Sequence, residues 1–181
     1  MMKTFVHGSK RKLVRLFVHE CGRVFSDRLN DEQDVQKLFD QLYVSCRDYL
    51  KEDLFTCMKD VIPERLFDDK PNYERSQEMM TEYLRFTDLL DQSKQSNQRT
   101  YDELEYETAA VELARSLGES LDSYNASTNR PMELVLFDYA VIHLLRLCRV
   151  LKMHKGNSLL IGVGGSGRQS VSYLACFLMD Q

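Results

Sequence analysis

The sequence predicts a mainly helical chain that passes, in its last quarter, into the opening of an α/β element. Three observations carry this. The 181 residues include only 8 Gly and 3 Pro, too few for a turn-rich β architecture. Apolar side chains recur at helical spacing in successive stretches separated by polar breaks. After Gly156 the pattern changes to a short, unbroken apolar run closed by a glycine-rich loop.

Residues 10–29 place apolar side chains at 13, 14, 17, 21, 24 and 25, a helical stripe. Asn30 is expected to end this helix in a left-handed conformation, and Asp31 to cap a second one, with Asp34 in its first turn. Val35, Leu38, Phe39, Leu42, Cys46, Tyr49 and Leu50 share the inner face of that helix. So short a linker suggests an antiparallel helical hairpin. Pro63 and Pro71 mark a loop over 61–73. A third helix is expected over 73–91, with Met79, Met80, Tyr83, Leu84 and Leu90 inward, then a polar loop over 92–100.

Thr100 and Glu103 have capping-box spacing, which predicts a fourth helix to about Tyr124 with Leu104, Val111, Ala114, Leu117 and Leu121 as its stripe. The polar stretch 125–131 is the best module boundary. Pro131 fits a first helical position, so the next helix is expected from 131 to about 155 and ended by Gly156. Its stripe is Leu134, Phe137, Val141, Leu144, Leu145, Cys148 and Leu151. Glu133 at its start and Lys152, His154 and Lys155 at its end suit the macrodipole. Residues 157–161 read as a strand buried on both faces, and Arg168–Met179 as a helix with Val171, Leu174, Ala175 and Leu178 inward.

Composition excludes several classes. Apolar residues make up 43% of the chain, enough to bury a core. No apolar run approaches the roughly 18 residues of a membrane helix, and the start lacks the pattern of a secretory signal. Residues 61–130 carry 8 basic and 15 acidic side chains, which reads as solvated helix faces. No basic block points to nucleic acid. Cys21, Cys46, Cys57, Cys148 and Cys176 are an odd set without close spacing, so reduced, mostly buried thiols are expected. His19, His143 and His154 lack a partner at ligand spacing and His7 lies near the start, so each is assigned to packing or surface. Asp68 and Asp69 read as solvated charges rather than an acid–base pair.

The chemistry lies in the stretch Gly162, Val163, Gly164, Gly165, Ser166, Gly167, Arg168, Gln169 and Ser170. Strand, glycine loop and helix in succession form a phosphate-binding arrangement. Glycines let the backbone curl so that several N–H groups face one anion, and the helix start adds free donors and a positive dipole end. Gly162 and Gly167 have the spacing of the P-loop, G-x-x-x-x-G-K-[ST]. Arg168 stands where lysine is usual and keeps a permanent charge. Gln169 stands where a hydroxyl would hold magnesium, and Ser170 lies about 100° further around the helix, so magnesium is poorly provided for. Gly162, Gly164 and Gly167 also fit the dinucleotide pattern G-x-G-x-x-G, whose acidic ribose partner would fall beyond Gln181. A glycine connector that binds nothing is the plainer alternative.

Residues 131–178 resemble the opening of the fourth AAA+ module of axonemal dynein heavy chains, through Leu134-Val135-Leu136-Phe137, His143, Arg146, Arg149 and the loop GVGGSGRQS. The Arg-Gln-Ser ending departs from the general P-loop but is usual in that module. Lys12-Leu13-Val14-Arg15-Leu16, His19-Glu20, Arg23-Val24-Phe25 and Asp27-Arg28-Leu29 are similar to the helical lid of the third module, and Tyr101 to Asn125 to its closing helix.

The resemblance implies a lid-like region over 1–125 and the N-terminal part of a P-loop NTPase module over 126–181. It implies a fragment of an ATP-driven, minus-end-directed microtubule motor of cilia and flagella, cytoplasmic and axonemal. The Gly162–Ser170 loop would be a regulatory site for ATP or ADP. Implied partners are neighbouring AAA+ modules, microtubules and dynein intermediate and light chains, with no nucleic acid and no membrane. A lone doubly buried strand needs neighbours to satisfy its backbone, and no Walker-B strand, sensor or arginine finger follows the loop before Gln181. The expectation is therefore that this chain alone is not a competent ATPase. A Rossmann-type fragment and a helical interaction module remain as alternatives.

Overall fold

In the computed structural model the described residues are 9–59, 61–62, 84–90, 98–104 and 108–180. They are mainly helical, with one small two-stranded sheet. The chain divides into two compact units, residues 1–86 with 101–106, and residues 87–100 with 107–181.

The first unit opens with α1, Lys10–Val24, whose start is capped by Ser9 Oγ accepting from the Lys12 amide at 3.3 Å. The buried face is turned from the expected stripe. Val14, Leu16 and Val18 face the core with Arg15 and His19, while Leu13, Phe17, Val24 and Phe25 are exposed. Polar partners set this rotation. Arg15 donates Nε to Glu103 Oε1 at 2.7 Å, Nη2 to Oε2 at 2.8 Å, and Nη1 to the Cys57 carbonyl at 2.9 Å. His19 Nδ1 donates to the Leu84 carbonyl at 2.9 Å, and its Nε2 lies 3.2 Å from the Tyr101 hydroxyl. Apolar spacing alone does not show where a buried cation finds its fork of acceptors.

Asn30 is not left-handed; the chain leaves α1 through a 3-10 turn, Ser26–Arg28, and the Leu29 amide bonds the Ser26 carbonyl at 3.0 Å. That turn already occupies a carbonyl a left-handed cap would have served. Asp31 then caps α2, Glu32–Ser45, by accepting from the Gln33 amide at 2.9 Å, as expected. A π turn, Cys46–Leu50, follows, closed by Lys51 at φ 58°. It carries Tyr49 outward, against expectation, while Val35, Phe39, Leu42 and Cys46 stay inside. The short α3, Leu54–Met58, capped by Asp53, packs against α1. The sheet pairs β1, Phe86–Thr87, with β2, Asp102–Glu103, and the Leu104 amide donates to the Arg85 carbonyl at 2.9 Å.

Two helix assignments change here. Residues 84–90 are strand and turn rather than the end of a helix, and Leu90 is exposed. Met79, Met80, Tyr83, Asp68, Asp69 and His7 lie outside the described residues. Thr100 and Glu103 do not form a capping box, because the Glu103 carboxylate is taken by Arg15 from 88 positions away. A tertiary ion pair outweighs a local cap.

The second unit is built on α4, Thr108–Ser127, α5, Asp138–Lys152, and α6, Arg168–Asp180. The inner residues of α4 include Leu113 and Leu117, while Val111 and Ala114 are exposed. Helix α5 begins seven residues later than Pro131 suggests. Asn125 explains the delay: its Oδ1 accepts from the Met132 amide at 2.9 Å and its Nδ2 donates to the Met132 carbonyl at 3.0 Å. That pair of hydrogen bonds holds the stretch out of helix, so Glu133 lies outside the first turn, Asp138 takes its place, and Phe137 is exposed. Helices α5 and α4 both pack on α6, whose Val171, Leu174, Ala175 and Leu178 are buried as expected.

The five cysteines are free; Cys46, Cys57 and Cys148 are buried, Cys21 is half-buried and Cys176 exposed. Burial pushes the Cys46 thiol up to about 11 and the Cys148 thiol up to about 12, so both stay protonated at neutral pH. Among the described residues no helix is long and apolar enough to cross a membrane.

Candidate phosphate-binding site

The site is prepared by the end of α5. Met153 leaves the helix, Lys155 sits at φ 58°, and the Gly156 amide donates to the Met153 carbonyl at 2.8 Å. A Cβ on Gly156 would lie 1.8 Å from the Val150 carbonyl oxygen and 2.9 Å from its carbon. Both are backbone atoms, so no side chain can move aside. Gly156→Ala should therefore fray the last turn of α5 and cost about 1–3 kcal/mol. Urea unfolding and amide exchange at Met153 test this; a variant that unfolds like the wild type would show that the turn is not so tight.

From Asn157 the chain runs extended. The apolar residues expected to form a buried strand have no ladder partner among the described residues, and Leu159, Ile161 and Val163 are exposed. A parallel strand takes its burial from neighbouring strands and covering helices. The extended conformation is present; the ladder is not.

The loop curls at once. Gly165 has φ 78° and Gly167 φ 74°, the left-handed region that favours glycine. The Ser166 amide donates to the Val163 carbonyl at 3.4 Å. A Cβ on Gly165 would meet nothing within 4 Å, so backbone conformation rather than space calls for glycine there. Gly167 comes close to Leu134, whose Cδ1 lies 3.9 Å from where a Cβ would stand. The first helical bond of α6 runs from the Val171 amide to the Gly167 carbonyl at 2.9 Å. The amides of Arg168, Gln169 and Ser170 thus precede the first intrahelical bond and point out of the helix start.

All nine predicted positions, Gly162 to Ser170, lie in this one turn and helix start. Gly162 to Ser166 and Gln169 are exposed, and Gly167, Arg168 and Ser170 half-buried. Arg168 reaches back over Gly162 and donates Nη2 to the Val163 carbonyl at 3.1 Å. The donors gathered here are backbone amides, hydroxyls and a guanidinium, a set suited to an anion. Among the described residues no group of three or more His, Cys, Asp or Glu is placed to hold a metal ion. Sequence reasoning missed Leu134, because its approach to Gly167 depends on the extended stretch that Asn125 holds. His19 and His143 lie in packed surroundings, the latter 4.3 Å from the Tyr139 ring, and His154 is exposed.

Residues 132–181 match the family model described as the P-loop containing dynein motor region D4, and residues 3–62 match that of the AAA+ lid domain. The chain is 36% identical over 168 residues to human "Dynein axonemal heavy chain 3", an alignment covering 92% of this chain and 4% of the relative. It is 37% identical over 167 residues to rat "Dynein axonemal heavy chain 12", covering 92% and 5%. The chain belongs to the dynein heavy chain family. The match extends to the Chlamydomonas reinhardtii "Dynein beta chain, flagellar outer arm", 33% identical over 170 residues and covering 92% of this chain and 3% of that one. This dynein chain thus spans a few per cent of the length of the curated relatives it matches. Its loop belongs to a P-loop module, and the dinucleotide alternative falls away.

Proposed function

We propose that the Gly162–Ser170 loop of this dynein chain binds ATP or ADP through the phosphates, as a regulatory site rather than a site of rapid turnover. One observation carries the reading: two glycines at positive φ, Gly165 and Gly167, curl the backbone directly into the N-terminus of a 13-residue helix. That geometry turns amides and the positive end of α6 toward one point. Arg168 adds a permanent charge for the outer phosphates. Gln169, where a hydroxyl ligand is usual, supports the regulatory reading, because magnesium would be held mainly by the phosphates themselves. Residues 1–125 serve as the lid-like region of one AAA+ module and 126–181 open the next. The relatives' names support placement in the axoneme of cilia or flagella, as part of an ATP-driven microtubule motor. Its partners there are neighbouring AAA+ modules, microtubules, and dynein intermediate and light chains.

Calorimetric titration of ATP and ADP into the 181-residue chain tests the loop. Arg168→Ala should weaken binding by about 1.5–3 kcal/mol, roughly ten- to 150-fold. Gly165→Val should do more damage, because a β-branched residue resists φ 78° and its side chain would enter the space the anion needs. Binding that ignores both substitutions would remove the phosphates from this loop. No binding in the wild type would favour a plain glycine connector.

A further inference from the structure

The loop is one end of α6, and the other end is held by a side chain from far earlier in the sequence. Arg99 is only 3% exposed and donates Nη1 to the Leu178 carbonyl at 2.9 Å, in the last turn of α6. Its charge also acts on the Cys148 thiol of α5. Asp88, from the same 87–100 segment, is 5% exposed and pairs with Lys152 in the last turn of α5. Asp88 and Arg99 therefore fasten the C-terminal ends of both helices that flank the loop.

A cation hydrogen-bonded at a helix C-terminus is favourable, and it also fixes a distance. The buried face of α6, Val171, Leu174, Ala175 and Leu178, is apolar. Apolar burial is non-directional, and the interlocking of these side chains sets the position of α6 along its axis only through steric contact. A hydrogen bond holds its length to a few tenths of an ångström. Arg99 thus adds a directional contact that opposes lengthwise movement of α6 at its C-terminal end. A slip of one residue is about 1.5 Å, enough to carry loop amides out of hydrogen-bonding range of a phosphate.

We propose that Arg99 is a positioning residue for the phosphate loop, setting through α6 where the Gly165 and Gly167 amides stand. The inference rests on the phosphate-binding reading above. The test compares Arg99→Met, Arg99→Lys and the exposed-site control Arg115→Ala with the wild-type chain, by ATP titration and by amide resonances of Gly165, Ser166 and Gly167 without nucleotide. Arg99→Met should shift those amides, about 20 Å away along a helix of this length, and weaken ATP binding roughly five- to tenfold. Arg99→Lys should recover much of both, and Arg115→Ala should change neither. If Arg99→Met fails to fold, Arg99→Lys carries the test, with smaller shifts of the same amides expected. A folded Arg99→Met, or Arg99→Lys in its place, with wild-type loop resonances overturns the inference whether or not nucleotide binds. Shifted resonances with unchanged affinity overturn it as well. Absence of ATP binding in the wild type instead defeats the phosphate-loop reading, and the resonances still decide whether Arg99 positions the loop.

Discussion

Replacing Arg15 by methionine is expected to destabilise the first unit by about 3–5 kcal/mol. The Arg15 and Glu103 side chains are 7% and 8% exposed and meet through two parallel N–H···O bonds, while the third guanidinium contact goes to the Cys57 carbonyl. Truncating the arginine strands a buried carboxylate and a buried carbonyl together. Glu103→Gln should cost less, because an amide still accepts one N–H. The double variant Arg15→Met/Glu103→Leu should recover most of the loss, because no charge is then left inside. Urea unfolding followed by circular dichroism measures all three. A single Arg15→Met variant within about 0.5 kcal/mol of the wild type would show that water reaches the pair.

Leu174→Ala is expected to cost the second unit about 3–5 kcal/mol. Leu174 has no exposed surface and lies in α6 beside Ala175 and Leu178, against α5, whose Leu144 is equally buried. The lost methyl groups leave a void that rigid helices on two sides cannot close. Leu174→Met keeps the volume and should cost under about 1.5 kcal/mol. Thermal unfolding separates the two variants, and equal losses would show that branching rather than volume matters at this site. Because α6 also carries the phosphate loop, the alanine variant should lose amide protection at Val171 before the rest of the unit melts.

The sequence made the helical class, the Asp31 cap, the inward face of α6 and the loop legible, because each depends on residues within a few positions of one another. Gly165 and Gly167 advertise a left-handed backbone wherever they occur before a helix. What stayed hidden depends on distant partners. The rotation of α1 follows from Arg15 meeting Glu103, the false capping box from the same pair, and the late start of α5 from Asn125 holding Met132. The run 157–161 was legible as an extended segment, whereas its pairing is not a property of its own residues. In the candidate site, Leu134 beside Gly167 carried no local signal at all.

The interleaving of the two units in sequence sets an order of events during synthesis. Arg15 leaves the ribosome 88 residues ahead of Glu103, and Arg99 leaves 79 residues ahead of Leu178. At about 5–20 residues per second, each cation waits roughly 4–18 s for its acceptor. Segment 87–100 is made before residues 101–103 complete the first unit, yet it belongs to the second. Neither unit can therefore close on a first-come basis. During that wait α1 is complete but the core that will cover Val14, Leu16 and Val18 is not.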